Sequence, residues 1–286
     1  MKICLVSHTE NFKGNEEKYR WIVEGFKEIE EELSLNIPIT WALEEDDTGL
    51  HPLEIRARNR GDLITHGSDF FKRLHLEGHE LGIHVHFVKE GKLDFSYLNQ
   101  KRLIKNAKVK FIKAFGFAPK SFVGGWWHSD EFTTKILREE GFLVDASPLP
   151  LYSEKRRRWI LGKIPTFSRI VASDWRHFKS RIPLLKEGIL KVPNAIDPRV
   201  DFFSVSKTIS LDLLDTQMME SLEVFRHFQE EGITFLCIPF HPHSLTREKF
   251  SKIKTFFIRC NKIDKLEFIR LQDLYERWRG APNQDV

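Results

Sequence analysis

Strand-like and helix-like segments alternate along nearly all of the 286 residues, and no other feature constrains the fold as much. "KICLVS" (2–7) is a short apolar, β-branched run and reads as a buried strand. Residues 15–35 then carry Tyr19, Ile22, Val23, Phe26, Ile29 and Leu33 at helical spacing. "IPITWAL" (37–43) reads as the second strand, 67–77 as a helix with Phe70, Phe71 and Leu74 on one face, and "ELGIHVHF" (80–87) as the third strand. A basic helix over 96–115 and a short strand "SFVGG" (121–125) follow. Ser129 is placed as the N-cap of a helix that ends at Gly141, a good C-cap residue. "FLVDAS" (142–147), "ILKVPNA" (189–195) and "ITFLCIPF" (233–240) read as further strands; 211–230, 246–258 and 271–279 read as helices. Residues 148–186, rich in Pro, Arg and aromatics, break the pattern as an irregular excursion. Such alternation favours a mainly parallel sheet or barrel with outer helices. No linker or repeat divides the chain, so the expectation is one domain over 1–286.

Hydrophobic residues make up 41% and charged residues 30%, which supports a globular core rather than a disordered chain. A net charge of +4 is too small an excess to argue for a nucleic-acid partner. The one dense basic run, 154–163, reads as a solvated loop, with an anionic-substrate or membrane-surface patch as the sharper alternative. Three scattered cysteines, Cys4, Cys237 and Cys260, cannot build a disulfide framework or a zinc knuckle. The N-terminus turns polar after six residues, unlike a signal peptide, and no stretch approaches eighteen apolar residues, so no transmembrane segment is expected. The location these features suggest is cytoplasmic.

In parallel α/β folds the chemistry collects at the carboxyl ends of the strands. The residues there are His8-Thr9-Glu10, Glu44 to Asp47, His84-Val85-His86, Trp126-Trp127-His128, Asp145-Ala146-Ser147 and His241-Pro242-His243. Six such endings point to one site. Residues i and i+2 on a strand face the same way, so His84 and His86 can hold one ion from one side. Glu10 is the obvious carboxylate to join them in a divalent metal site, with zinc the metal that imidazole and carboxylate suit. His241 and His243 form a second H-x-H: ligands to the same ion, or a proton donor and its neighbour. His79 reads as structural, and His128 as a wall or capping residue.

"FKRLHLEGHELGIHVHF" resembles the second motif region of the polysaccharide deacetylases, the metal-dependent carbohydrate esterases with the NodB homology domain. "APKSFVGGWWHSDEFTTKILREEGFLVDASPLP" resembles their third and fourth motif regions, and "FLCIPFHPHSL" their closing strand with its His. The resemblance covers roughly residues 1–245. It implies a deformed (β/α)7-type barrel of mainly parallel strands, in which a divalent metal assists removal of an acetyl group from a saccharide, often in surface-polysaccharide pathways. Carried over, it makes Glu10, His84 and His86 the metal ligands, and His241 the proton donor. His8 stands where the family's base Asp is expected, and Val123 where the Arg that contacts that Asp belongs. Trp126, Trp127, Asp145 and His243 are assigned to substrate binding, although plain core packing accounts for the tryptophans as well.

Two alternatives stand beside the acetyl hydrolase. The missing Asp and Arg fit a catalytically silent saccharide-binding relative. Glu44, Glu45, Asp46 and Asp47 supply the acids that a glycoside hydrolase would need.

Overall fold

The computed structural model describes residues 1–10, 12–44, 63–89, 92–148, 180–200 and 207–280. The excursion over 149–179, the basic run within it, and Glu45, Asp46 and Asp47 lie outside the described residues. The chain enters through β1 (Lys2–Thr9), α1 (Glu16–Leu33), β2 (Ile39–Glu44), the single turn α2 (Leu63–His66), α3 (Ser68–Leu76) and β3 (Glu80–Val85). A small hairpin, β4 (Val88–Lys89) and β5 (Lys92–Leu93), leads into α4 (Tyr97–Phe115), β6 (Ser121–Gly124), α5 (Glu131–Glu139) and β7 (Val144–Asp145). The second half carries β8 (Leu184–Lys186), β9 (Ile189–Lys191), α6 (Leu214–Glu230), β10 (Phe235–Phe240), α7 (Arg247–Ile263), β11 (Glu267–Phe268) and α8 (Leu271–Gly280).

Nine of these strands form one curled sheet in the order β10-β1-β2-β3-β6-β7-β9-β8, with β11 on β1. Every pairing from β10 round to β9 is parallel. Only β8, at the end of the excursion and unforeseen in the sequence, runs antiparallel. The curl almost closes. Beyond β9, Asn194 bridges Cys237 of β10, and the Ala195 N–H donates to the Cys237 carbonyl at 2.9 Å. The expected barrel of mainly parallel strands is therefore present, joined at its seam by a single bridge.

Alternation along each strand divides the core in two. Ile3 and Leu5 of β1 face outward and pack with Tyr19, Ile22 and Phe26 of α1 in the larger cluster under the helices. Cys4 and Val6 face inward and meet Ala42, Val123, Val144, Leu190 and Cys237. Leu271 and Leu274 of α8 close this inner core from the amino end of the barrel. Its first turn is tied there: the Leu271 N–H donates to Thr40 Oγ1 at 3.3 Å, and the Gln272 N–H to Glu80 Oε2 at 3.1 Å.

The N-cap of α5 is Asp130, one residue beyond the expected Ser129. Asp130 Oδ1 accepts the Thr133 N–H at 2.7 Å, and Thr133 Oγ1 accepts the Asp130 N–H at 3.1 Å. Two reciprocal bonds outcompete one serine. Gly141 does follow the helix with φ +75°, as a residue ending it there should.

Candidate metal centre and active site

The inward parity that places Cys4 and Val6 in the barrel also places His8, and the chain beyond β1 brings Glu10 to the same place. His8 lies in register with Ala42, and Glu44 with His84. His8, Glu10, Glu44, His84, His86 and His241 thus come from the carboxyl ends of β1, β2, β3 and β10.

Glu10 Oε1 lies 3.3 Å from His84 Nε2 and 3.1 Å from His86 Nε2, and the two Nε2 atoms are 3.0 Å apart. All three residues are buried, and their ligand atoms lie within 4.8 Å of one another. His84 Nδ1 is 3.1 Å from the Val123 carbonyl. A carbonyl only accepts, so Nδ1 carries the hydrogen and Nε2 presents its lone pair to the cluster. Burial holds the His84 pKa below the ordinary imidazole value against the pull of Glu10, which keeps the ring neutral. A bare nitrogen facing a carboxylate oxygen suits a cation between them, and this donor set suits a divalent one.

The backbone is shaped to admit these rings. A Cβ on Gly125 would lie 2.5 Å from His86 Cγ and Nδ1, and one on Gly124 would meet the His128 carbonyl at 2.0 Å. Tyr19 of α1 donates to the Glu10 carbonyl at 2.5 Å and anchors the backbone there. Glu44, 3.7 Å from His86 Nε2, adds a second buried carboxylate.

His8 lies beside the cluster, and His241 beside His8. The His8 ring centroid lies 5.1 Å from that of His84 and 4.8 Å from that of His241. His8 Nε2 is buried without a hydrogen-bond partner among the described residues. Burial, then the neighbouring His241 and His84, pushes the His8 pKa well below its ordinary value. His241 is half-buried; its Nδ1 lies 2.7 Å from Asp212 Oδ2, while its N–H donates to Asp212 Oδ1 at 2.9 Å. The carboxylate fixes the ring so that Nε2 is turned away from it. Burial opposes ionisation of Asp212, but bonds from His241 and Ser244 prevail and hold its pKa below the usual carboxylate value.

Asp145 does not join this group. Val144 and Ala146 face the inner core, so parity turns Asp145 outward. There it is fully buried, pairs with Lys191 Nζ at 2.6 Å and accepts the Ser129 hydroxyl at 2.6 Å and the Ser147 N–H at 2.9 Å. His243 does not reach the cluster as a ligand; its ring packs on His241 at 5.4 Å and its carbonyl accepts Lys18 at 2.6 Å. His79 is structural, as expected: Nδ1 accepts the Ile39 N–H at 3.0 Å. His128 stacks on Phe95 at 4.0 Å. Trp127 packs 6.0 Å from His8 and holds φ +53°, a left-handed conformation that is unusual for a bulky residue. The side chain of Trp126 lies outside those described.

Sequence reading missed Asp212 and Lys191. Lys191 could have been found by extending strand parity from Leu190. Asp212 meets His241 only through the tertiary fold.

No family model matches the chain, and no curated protein does. Solved structures do match, at low identity. A "probable polysaccharide deacetylase" from Pseudomonas aeruginosa PAO1 aligns at 13% identity and TM-score 0.59, over 99% of this chain and 92% of that one. Puue allantoinase aligns at 13% and 0.57, over 98% and 90%. A family 4 acetyl xylan esterase from Clostridium thermocellum, in complex with a cobalt ion, aligns at 12% and 0.52, over 99% and 93%. Together with the barrel order, these likenesses show that the chain has the fold of the polysaccharide deacetylases, in a divergent sequence.

Proposed function

We propose that the protein is a metal-dependent hydrolase that removes an acetyl-type acyl group from a saccharide. The observation that carries this reading is the buried Glu10–His84–His86 cluster, with a bare His84 Nε2, the His8 ring beside it and the His241 ring beyond His8. These three residues would hold a divalent cation, zinc by preference, which would polarise the acyl carbonyl and make a water more acidic. His8, neutral and without a partner at Nε2 among the described residues, takes the proton of the attacking water. The water oxygen bonds to the acyl carbon, the C–N or C–O bond breaks, and His241 delivers a proton to the departing nitrogen or oxygen. Asp212 holds the His241 ring for that transfer. Trp127 forms one wall for the substrate. A place in surface-polysaccharide biosynthesis rests on the family resemblance.

The test is release of acetate from N-acetylglucosamine oligomers and O-acetylated xylan by the zinc-loaded protein. Acetate release that is lost in His84→Ala supports the reading; no release from either substrate, with metal bound, contradicts it. His241→Ala is expected to cut turnover by roughly 10²–10⁴ with metal retained, the scale of losing a general acid.

A further inference from the structure

The barrel seam leaves a cavity of about 230 Å³ beside His241, bounded by Trp127, Ala195, Ile209, Leu213 and Pro239. It sits at the seam of the curl, beside the Asn194–Cys237 bridge, where Ile196 also pairs with Thr208. Trp127 and His241 belong to both places: they line the cavity, and both pack on His8. The cavity therefore opens next to the groups assigned to the reaction.

Its walls are largely apolar, and most of their polar atoms are engaged elsewhere. The Ser210 hydroxyl donates to the Pro239 carbonyl at 3.1 Å, and Asp212 is taken up by His241 and Ser244. Asn194 Nδ2 donates to the Pro148 carbonyl at 2.9 Å, leaving Asn194 Oδ1 as a buried acceptor without a partner among the described residues. A sugar ring needs many hydrogen-bonding partners, and this lining does not offer them. An acetyl methyl would leave most of the space empty, since an apolar cavity of roughly 150 Å³ already takes a benzene ring.

The geometry points to an acyl-chain pocket: the preferred substrate carries a linear acyl group of about four to eight carbons, whose tail occupies the seam cavity while its carbonyl lies at the cavity mouth, beside His8 and His241. This rests on the hydrolase reading and narrows its substrate class. The reaction balances as before, water adding to the acyl carbon to give the fatty carboxylate and the free amine or alcohol.

Two measurements decide it. The first is kcat/KM of the zinc-loaded full chain on N-acetyl-, N-butyryl- and N-hexanoyl-glucosamine and the matching p-nitrophenyl esters. Each methylene that enters an apolar pocket is worth about fourfold, the equivalent of ~0.8 kcal/mol, so hexanoyl should exceed acetyl by roughly 10². Ala195→Leu and Ile209→Phe, which fill the cavity, should lower the hexanoyl-to-acetyl ratio. A flat or falling series, or an unchanged ratio in both variants with native melting temperatures, overturns the pocket while leaving the hydrolase intact. The second is titration of the same protein with acetate and hexanoate, which needs no turnover. If nothing in the series is hydrolysed, the hydrolase reading fails, and tighter binding of hexanoate still supports the pocket. Equal binding of the two carboxylates overturns it.

Discussion

In the proposed reaction His8 is the residue on which the chemistry turns. It replaces the acid expected after the first strand, yet burial and its imidazole neighbours keep it neutral, the state in which a base can accept a proton. If it is the base, His8→Ala abolishes turnover and His8→Asp restores part of it, both with metal bound. A gain of activity in His8→Ala would show instead that the ring fills the ion's open position. Gly125 tests the shaping of the site: a Cβ there collides with the His86 ring. Gly125→Ala should weaken metal affinity by about 10–100-fold, the usual cost of misorienting a ligand, as read by competition with a chelator. Asp212→Asn should lower kcat by roughly 10²–10⁴ without loss of metal, because an amide no longer fixes the tautomer of His241. The ligand candidates were legible in the sequence because H-x-H on a strand leaves one geometric outcome. Asp212 was not, because its contact with His241 is made by the fold and not by any local pattern.

At the scale of elements, strand parity was the most informative and the least used property of the sequence. It groups His8 with Cys4 and Val6 on the inner face, and it sets Asp145 apart from Val144 and Ala146. Counting alternate residues along the strand sends Asp145 outward, to Lys191. Helices with clear amphipathic spacing, such as α1, came out within a residue or two of their ends. β8 and β11 gave too little pattern to see. The junction of β2 and β3 carries a pH prediction. His79 Nδ1 accepts the Ile39 N–H, so the ring must be unprotonated there, and burial lowers its pKa from 6.5 to about 4. A depressed pKa means the folded state binds the proton less well than the unfolded chain. This stability is fully present above pH 6.5 and is lost as pH falls toward 4, up to roughly 3 kcal/mol. Denaturant unfolding at pH 7 and pH 4.5 should show that loss in the wild type and a smaller one in His79→Gln; equal losses in both would remove His79 as the cause.

For the whole molecule, the curled sheet brings residues more than 200 positions apart into one site, from His8 to His241. Alternation of strands and helices announced the barrel, whereas the near-closure at Asn194 and the cavity beside it depend on how far the sheet curls. The buried Lys191–Asp145 pair braces the side of the barrel opposite the N-terminal strands. Lys191→Met strands the carboxylate and should cost about 3–5 kcal/mol in unfolding free energy, with Asp145→Asn added to Lys191→Met recovering part of it. All of the proposed chemistry rests on the cluster of Glu10, His84 and His86, and its most direct test is metal content. Protein purified without chelator and assayed by inductively coupled plasma mass spectrometry should carry about one divalent ion per chain, falling toward none in Glu10→Ala, His84→Ala and His86→Ala. Wild-type protein that remains metal-free after incubation with zinc, or a His84→Ala protein that keeps full occupancy, would contradict the account.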